Sequence, residues 1–246
     1  MSRLDPDRLP QHVAIIPDGN GRWAEQRGLS REAGHQQGVE ALRDVARAAH
    51  EIGVQELTVY AFSTENWARP AGEVDALMQL LAGYLRQEVD ELVRNGIRLR
   101  VIGRVQELPP QLQRELEVAL ARTEGNAEMT LTFGLSYSGR AELVDATRRI
   151  AREVESGRLD PDAIDEKCVS SYLYAPELSD PDLLIRTGVE HRISNFMLWQ
   201  LAYTELVFSD RLWPEFTKQD LVDAVLTYQS RERRFGRTGV QVRERL

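Results

Sequence analysis

Short apolar runs and helical stretches take turns along the whole chain, and this alternation limits the fold more than any other feature. Residues 13–16 (VAII) form a continuous apolar run, the pattern of a strand buried on both faces. Residues 35–52 then place Val39, Leu42, Val45, Ala46, Ala49 and Ile52 at helical spacing, closed by Gly53. Residues 57–62 are β-branched and aromatic, and residues 74–92 carry Leu77, Leu81, Leu85 and Leu92 on one helical stripe. Ile97, Leu99 and Val101 alternate with Arg98 and Arg100. After ELPPQLQREL, which starts a helix with proline at its entry, Met129, Leu131 and Phe133 alternate again. Residues 141–154 read as a helix and residues 183–185 as a last buried run. Strands separated by helices imply parallel pairing through right-handed crossovers. The predicted fold is therefore α/β: a single domain over residues 1–246 with a central, mainly parallel sheet flanked by helices. Residues 1–11 and 237–246 are expected to be flexible tails.

Composition removes several function classes. The 246 residues carry 31 Lys and Arg against 39 Asp and Glu, a formal net charge of -8, so no nucleic-acid partner is expected. All but Lys167 and Lys218 of the basic residues are arginine, the side chain suited to bidentate phosphate or carboxylate contacts. The lone Cys168 cannot form an internal disulfide, and four scattered histidines give no zinc spacing. The amino-terminal MSRLDPDRLPQ has no apolar core of signal-peptide length, and no run of about 18 apolar residues exists to span a membrane. A cytoplasmic location is the expectation.

In open parallel sheets, ligands sit beyond the carboxyl ends of the strands. Four segments follow predicted strands in this way: DGNGRW, STENWARP, GLSYSGR and RTGVEHRISN. The Asp-Gly-Asn-Gly of the first is open to two readings, a hairpin turn or a loop whose glycines let backbone amides approach an anion. The residues after it lack the period of two that a hairpin needs. It matches neither GxxxxGK[ST] nor GxGxxG, so nucleotide binding gains little support. Asp18 alone reads as a turn former or as a ligand for a hard cation such as Mg²⁺. His191 alone reads as a surface hydrogen-bonding residue, and Ser194 or Asn195 as the cap of a helix holding Phe196, Met197 and Leu198. Arg22, Arg31, Arg69, Arg186 and Arg192 all fall at or near predicted strand exits. Converging arginines in an acidic protein call for an anion, and one or two diphosphates are the natural candidates.

The segments HVAIIPDGNGRWA, YAFSTENWARP, DLLIRTGVEHRISNFMLWQLAYTEL and RERRFG resemble the signature segments of the cis-prenyltransferases, bacterial undecaprenyl diphosphate synthases most of all. The resemblance runs from about His12 to Gly236. It implies an apolar tunnel, a homodimer and Mg²⁺-dependent condensation of isopentenyl diphosphate onto farnesyl diphosphate with cis double bonds. The expected product is undecaprenyl diphosphate, the lipid-carrier precursor for cell-wall synthesis, and a peripheral membrane contact for its release is compatible with this. Carried over by position, Asp18 is the essential metal and diphosphate residue, and Gly19, Asn20, Gly21 and Arg22 line the allylic diphosphate. Trp23, Arg31 and His35 lie close by. Ser63, Thr64 and Glu65 contact substrate, Asn66 is the position assigned to proton removal, and Trp67 and Arg69 follow. Arg186, His191, Arg192 and Ser194 correspond to the isopentenyl diphosphate site, Glu205 to a second metal position, and Arg234, Phe235 and Gly236 to a segment reaching the partner subunit. Leu77, Leu81, Tyr84, Leu85, Met129 and Leu131 are candidate tunnel wall or ordinary core, and the small Ala61 favours a long product.

The chain departs from the family pattern at Pro17, at Val189 and in LSYSGR, where Ser136 and Ser138 stand in an Asn-Tyr-Gly-Gly-Arg pattern. None of these removes a charged group. A product of shorter or different length is the alternative within the family. A non-catalytic partner subunit is the alternative outside it, and retention of Asp18, Asn66, Arg186, Arg192 and Glu205 counts against that.

Overall fold

A computed structural model describes residues 4–232. The strands are β1 (His12–Ile16), β2 (Glu56–Ser63), β3 (Ile97–Ile102), β4 (Met129–Tyr137), β5 (Leu183–Arg186) and β6 (Glu205–Phe208). They form one sheet in the order β3-β4-β2-β1-β5-β6, and every neighbouring pair is parallel. All residues of β1 and β5 are buried, as continuous apolar strands in the middle of a parallel sheet must be. The expected α/β architecture is present.

The helices are α1 (Asn20–Glu25), α2 (Arg31–Ile52), α3 (Ala71–Arg94), α4 (Pro110–Thr123), α5 (Gly139–Glu155), α6 (Glu166–Ser171) and α7 (Lys218–Gln229). Their ends follow local chemistry. The Ser30 and Ser138 hydroxyls accept from the Ala33 and Ala141 amides to start α2 and α5. Thr217 and Asp220 form a reciprocal cap on α7, and Gly53 closes α2 at φ 94°. The larger core packs α2, α3, α4 and α7 on one face of the sheet. A smaller cluster around Tyr60, Tyr137, Leu184 and Phe196 fills the other.

Two expectations are corrected here. The amino-terminal tail is held from Leu4 onward: Leu4 and Leu9 pack on the core, and the Gln229 side chain donates to the carbonyls of Asp5 and Arg8. The segment with Phe196, Met197 and Leu198 is not a helix, because Ser194, Asn195 and Met197 take left-handed backbone (φ 48°, 64° and 40°). Side-chain contacts hold that path. Phe196 stacks on Tyr60 with ring centres 4.4 Å apart, and Asn195 bonds Ser138, Glu65 and the Arg140 amide.

The chain leaves β1 in one direction across the sheet and takes up β5 on the other side of β1. The β1–β5 boundary is thus the topological switch point, and the crevice beyond the carboxyl ends of these strands is where such sheets bind ligands.

Candidate active site

The centre of the site follows from how β1 ends. Gly19 turns the chain at φ 113°, a conformation suited to glycine, and α1 begins at Asn20. Helix α2 crosses so closely that a Cβ at Gly34 would lie 2.1 Å from the Asn20 carbonyl oxygen. Asp18 is thereby fixed at the switch point. Its amide donates to Thr187 Oγ1 and its carbonyl accepts from the same hydroxyl, both at 2.8 Å. The carboxylate is held between Arg22 Nη2 (3.0 Å) and Arg186 Nη2 (2.9 Å). The Arg186 side chain is only 4% exposed; its Nη1 donates to the Arg192 carbonyl and to Ser194 Oγ, and its Nε has no partner.

A second cluster lies at the entrances of α2 and α3. Glu73 accepts from Arg69 Nη1 at 3.1 Å, pairs with Arg31 Nε at 3.3 Å and faces His35 Nε2 at 3.7 Å. Burial, followed by the nearby Arg69, holds His35 below its ordinary value of 6.5. The Asn20 amide reaches His35 Nδ1 at 3.3 Å. In the short helix after β2, Asn66 Oδ1 accepts from the Ser63 amide, so its side-chain NH₂ is the end left for a ligand. Trp67 Nε1 donates to Ser136 Oγ (2.8 Å), which donates to Glu107 (2.6 Å). Glu65 accepts from Asn195; burial opposes its ionisation, but this and further hydrogen bonds outweigh it and lower the carboxyl's pKa. All four strand-end segments are thus tied together at one edge of the sheet.

Between α2, α3 and the sheet lies a mostly apolar cavity. Pro17, Asn20 and His35 line it on the polar side, and Ala61, Leu77, Leu81, Tyr84 and Phe133 line its apolar part. Asp18 sits between two of the lining residues in sequence. Arginines gathered around Asp18 therefore lie near an apolar hollow, an arrangement suited to a molecule with a diphosphate head and an apolar tail. Leu85, Met129 and Leu131 do not line the cavity; they are buried core.

The sequence profile of the family described as putative undecaprenyl diphosphate synthase matches residues 16–236. This chain belongs to the undecaprenyl diphosphate synthase family. It is 52% identical over 240 residues to an isoprenyl transferase of Heliobacterium mobile, spanning 98% of this chain and 92% of that one. It is 51% identical to the isoprenyl transferase of Geobacter sulfurreducens over the full length of both. Among solved structures it is similar to lavandulyl diphosphate synthase from Lavandula x intermedia in complex with dimethylallyl diphosphate (TM-score 0.91, 40% identity, 94% of this chain and 99% of that one). A probable undecaprenyl diphosphate synthase from Campylobacter jejuni is similar at TM-score 0.77 and 30% identity, over 93% and 99% of the two chains. As a member of the undecaprenyl diphosphate synthase family, the chain is a prenyl-transferring enzyme of isoprenoid biosynthesis.

Within this undecaprenyl diphosphate synthase-family fold, not every expected site residue converges. Trp23 carries the Arg27 guanidinium over its ring at 4.5 Å. His191 packs on Phe208, and Arg192 pairs with Glu190 while its guanidinium stays largely in solvent. Glu205 starts β6 in register with Leu183 and hence with Val13, and pairs with Arg231 at 2.8 Å. Val13 is next to the first residue of β1 and Asp18 lies two residues past its end, five steps or about 16 Å apart at ~3.3 Å per extended residue, so within one chain Glu205 stands at the opposite end of the sheet. Arg234, Phe235 and Gly236 lie outside the described residues. Two contributors were not foreseen. Thr187 had as its only signal a hydroxyl two residues after a buried run, and Glu73 an acidic residue four positions after Arg69 at a helix start.

Proposed function

We propose that this enzyme condenses isopentenyl diphosphate units onto farnesyl diphosphate, with Mg²⁺, to make undecaprenyl diphosphate for cell-wall synthesis, acting as a homodimer in the cytoplasm. The observation that carries this reading is the Asp18 carboxylate, held by Arg22 and Arg186 and lying in sequence between Pro17 and Asn20, which line the apolar cavity. Among the described residues no group of three or more His, Cys, Asp or Glu side chains is placed to hold a metal ion. One carboxylate still suits Mg²⁺, which is commonly held by one or two carboxylates together with substrate phosphates and water, and each Asp18 oxygen keeps a lone pair beyond its arginine. Asp18 is the residue that would hold the ion, which neutralises diphosphate oxygens when bound.

The residues divide the remaining work. Arg22, Arg31, Arg69 and the Asn20 side chain grip the allylic diphosphate, with His35 and Trp23 alongside. Arg186 and Ser194 hold the isopentenyl diphosphate, with Arg192 and His191 at its solvent side. When the allylic C–O bond breaks, its electron pair leaves with the diphosphate, and the arginines stabilise that charge. The isopentenyl double bond supplies the electrons of the new C–C bond, and loss of a proton forms the new double bond. An amide is a very weak base, so Asn66 orients a diphosphate oxygen or a water that takes this proton. The chain grows into the apolar cavity along Ala61, Leu77 and Leu81.

Incubation with Mg²⁺, farnesyl diphosphate and labelled isopentenyl diphosphate, followed by sizing of the lipid, tests the proposal. Eleven-unit product is expected, EDTA should stop it, and absence of any elongation rejects the reading. A shorter product is the second reading, favoured by the bulky Tyr84 in the cavity wall and by the likeness to a lavandulyl diphosphate synthase.

A further inference from the structure

Arg31, Arg69 and His35 come from two separate elements and converge, yet they do not face an empty seat. The Glu73 carboxylate lies among them, only 13% exposed, with Arg69 on Oε1, Arg31 Nε on Oε2 and His35 Nε2 beyond. Arg31 reaches Oε1 as well, at 3.5 Å, and pairs with Glu25 at the same distance on its outer side. Two guanidiniums brought this close repel each other unless an anion lies between them. Glu73 is that anion, and its amide donates to the Pro70 carbonyl at 2.9 Å. It occupies the first turn of α3, where Pro70 provides no side-chain cap, and its neighbour Gly72 has no atom within 4 Å of the place a Cβ would occupy.

We infer that Glu73 is an internal competitor for the diphosphate seat: it holds Arg31 and Arg69 while the seat is empty, yields them to the incoming diphosphate, and takes them back as diphosphate leaves. The inference rests on the proposed assignment of these arginines to the allylic diphosphate. The exchange conserves charge balance, since the guanidiniums always have an anionic partner. A diphosphate wins when present because it offers more charge and more acceptor oxygens than one carboxylate. Weakened binding is the cost of this arrangement, and faster departure of product diphosphate is its benefit, a step that limits turnover in many enzymes.

Titration of the full-length enzyme with inorganic pyrophosphate tests this. Glu73→Gln keeps the side-chain shape and removes the charge, and it should bind pyrophosphate about tenfold more tightly than wild type. Steady-state KM for farnesyl diphosphate should fall together with kcat, with an initial burst of product as release becomes slow. Glu73→Asp, whose carboxylate is drawn back by one methylene, should fall between the two. Adding Arg69→Gln to Glu73→Gln should abolish the gain, which places it at this seat. Circular dichroism identifies any variant that has lost its fold. Unchanged or weaker pyrophosphate binding in folded Glu73→Gln overturns the inference while leaving the diphosphate site standing. Binding to neither wild type nor variant overturns the site assignment and this inference with it.

Discussion

Asp18 and Arg186 meet across the β1–β5 boundary, Oδ2 to Nη2, at 2.9 Å. The two differ in exposure, 30% for the carboxylate and 4% for the arginine, so a buried cation presents a half-open anion to the crevice. Such a carboxylate can take a metal ion on its outer side while Arg186 fixes its inner side. Asp18→Asn keeps the size and an acceptor oxygen but removes the charge. Turnover should drop by at least about 10²–10³-fold, the usual scale for losing a group that organises developing charge. Arg186 retains Ser194 and the Arg192 carbonyl, so the protein should stay folded. Near-normal kinetics in a folded variant would remove Asp18 from the mechanism.

Tyr84 is buried in the wall of the apolar cavity, on α3 beyond Leu77 and Leu81, and edge-on to Phe133 with ring centres 5.9 Å apart. The same side chain borders a second, polar hollow lined by Arg43, Arg47, Glu88 and Glu91. A hydrocarbon pushed past it would leave an apolar wall for an ion-paired one, where Arg43 Nε holds Glu88 at 2.7 Å. Tyr84→Ala should therefore lengthen the product by sizing on thin-layer or mass analysis, at a stability cost of about 3–5 kcal/mol for an aromatic lost from a packed site. Tyr84→Phe should leave the length unchanged. Equal products from wild type and a folded Tyr84→Ala would show that chain length is set elsewhere.

Acid should weaken the fold through its buried histidines. His12 Nδ1 donates to the Ser179 carbonyl (2.6 Å), which fixes Nε2 as the acceptor of the Thr58 hydroxyl (2.7 Å). Burial lowers its pKa from the ordinary 6.5, outweighing the Ser179 carbonyl and the carboxylates of Glu56 and Asp182, which raise it. Above pH 6.5 the ring is neutral in both folded and unfolded chains and contributes no pH dependence. Below 6.5 the unfolded chain takes up a proton that the folded chain resists, so stability falls with pH, by at most about 1.4 kcal/mol per unit for each histidine. His35 shifts in the same direction and adds to the slope. Melting temperature should decline between pH 6.5 and 5.5, and His12→Gln should show a shallower decline whatever its absolute stability. A flat profile over this interval in the wild-type enzyme would contradict the assignment.

The alternation of apolar runs and helical stretches was enough to read the parallel sheet, because a strand such as residues 13–16 has no polar face to give to solvent. Asp18 and Arg22 are also legible together, four residues apart where the loop after β1 enters α1. What escaped were partnerships made only by tertiary closure. Nothing local in RTG says that Thr187 will clasp the Asp18 backbone, and nothing in PAGE says that Glu73 will gather three side chains from other elements. The apolar Phe196, Met197 and Leu198 suggested a helix, but Phe196 is drawn onto Tyr60 and Tyr137, and fixed partners for Ser194 and Asn195 outweigh helical propensity. The motif around Glu205 does not encode which end of its strand that residue occupies.

Val189 occupies a left-handed backbone position at φ 60°, where a β-branched side chain crowds its own carbonyl. The residue is 53% exposed and recovers little burial in return. Left-handed geometry costs an ordinary residue about 1–2 kcal/mol, and glycine there avoids that cost. Glycine also frees the unfolded chain, which offsets about 0.4–1 kcal/mol of the gain. Val189→Gly should thus stabilise the enzyme by about 0.5–1 kcal/mol, seen as a melting temperature higher by roughly 1–4 °C for a chain of this size. Position 189 lies between Arg186 and Arg192, so the looser loop should also raise KM for isopentenyl diphosphate more than it changes KM for farnesyl diphosphate. A lower melting temperature would mean that the valine methyl groups make contacts worth more than the strain they impose.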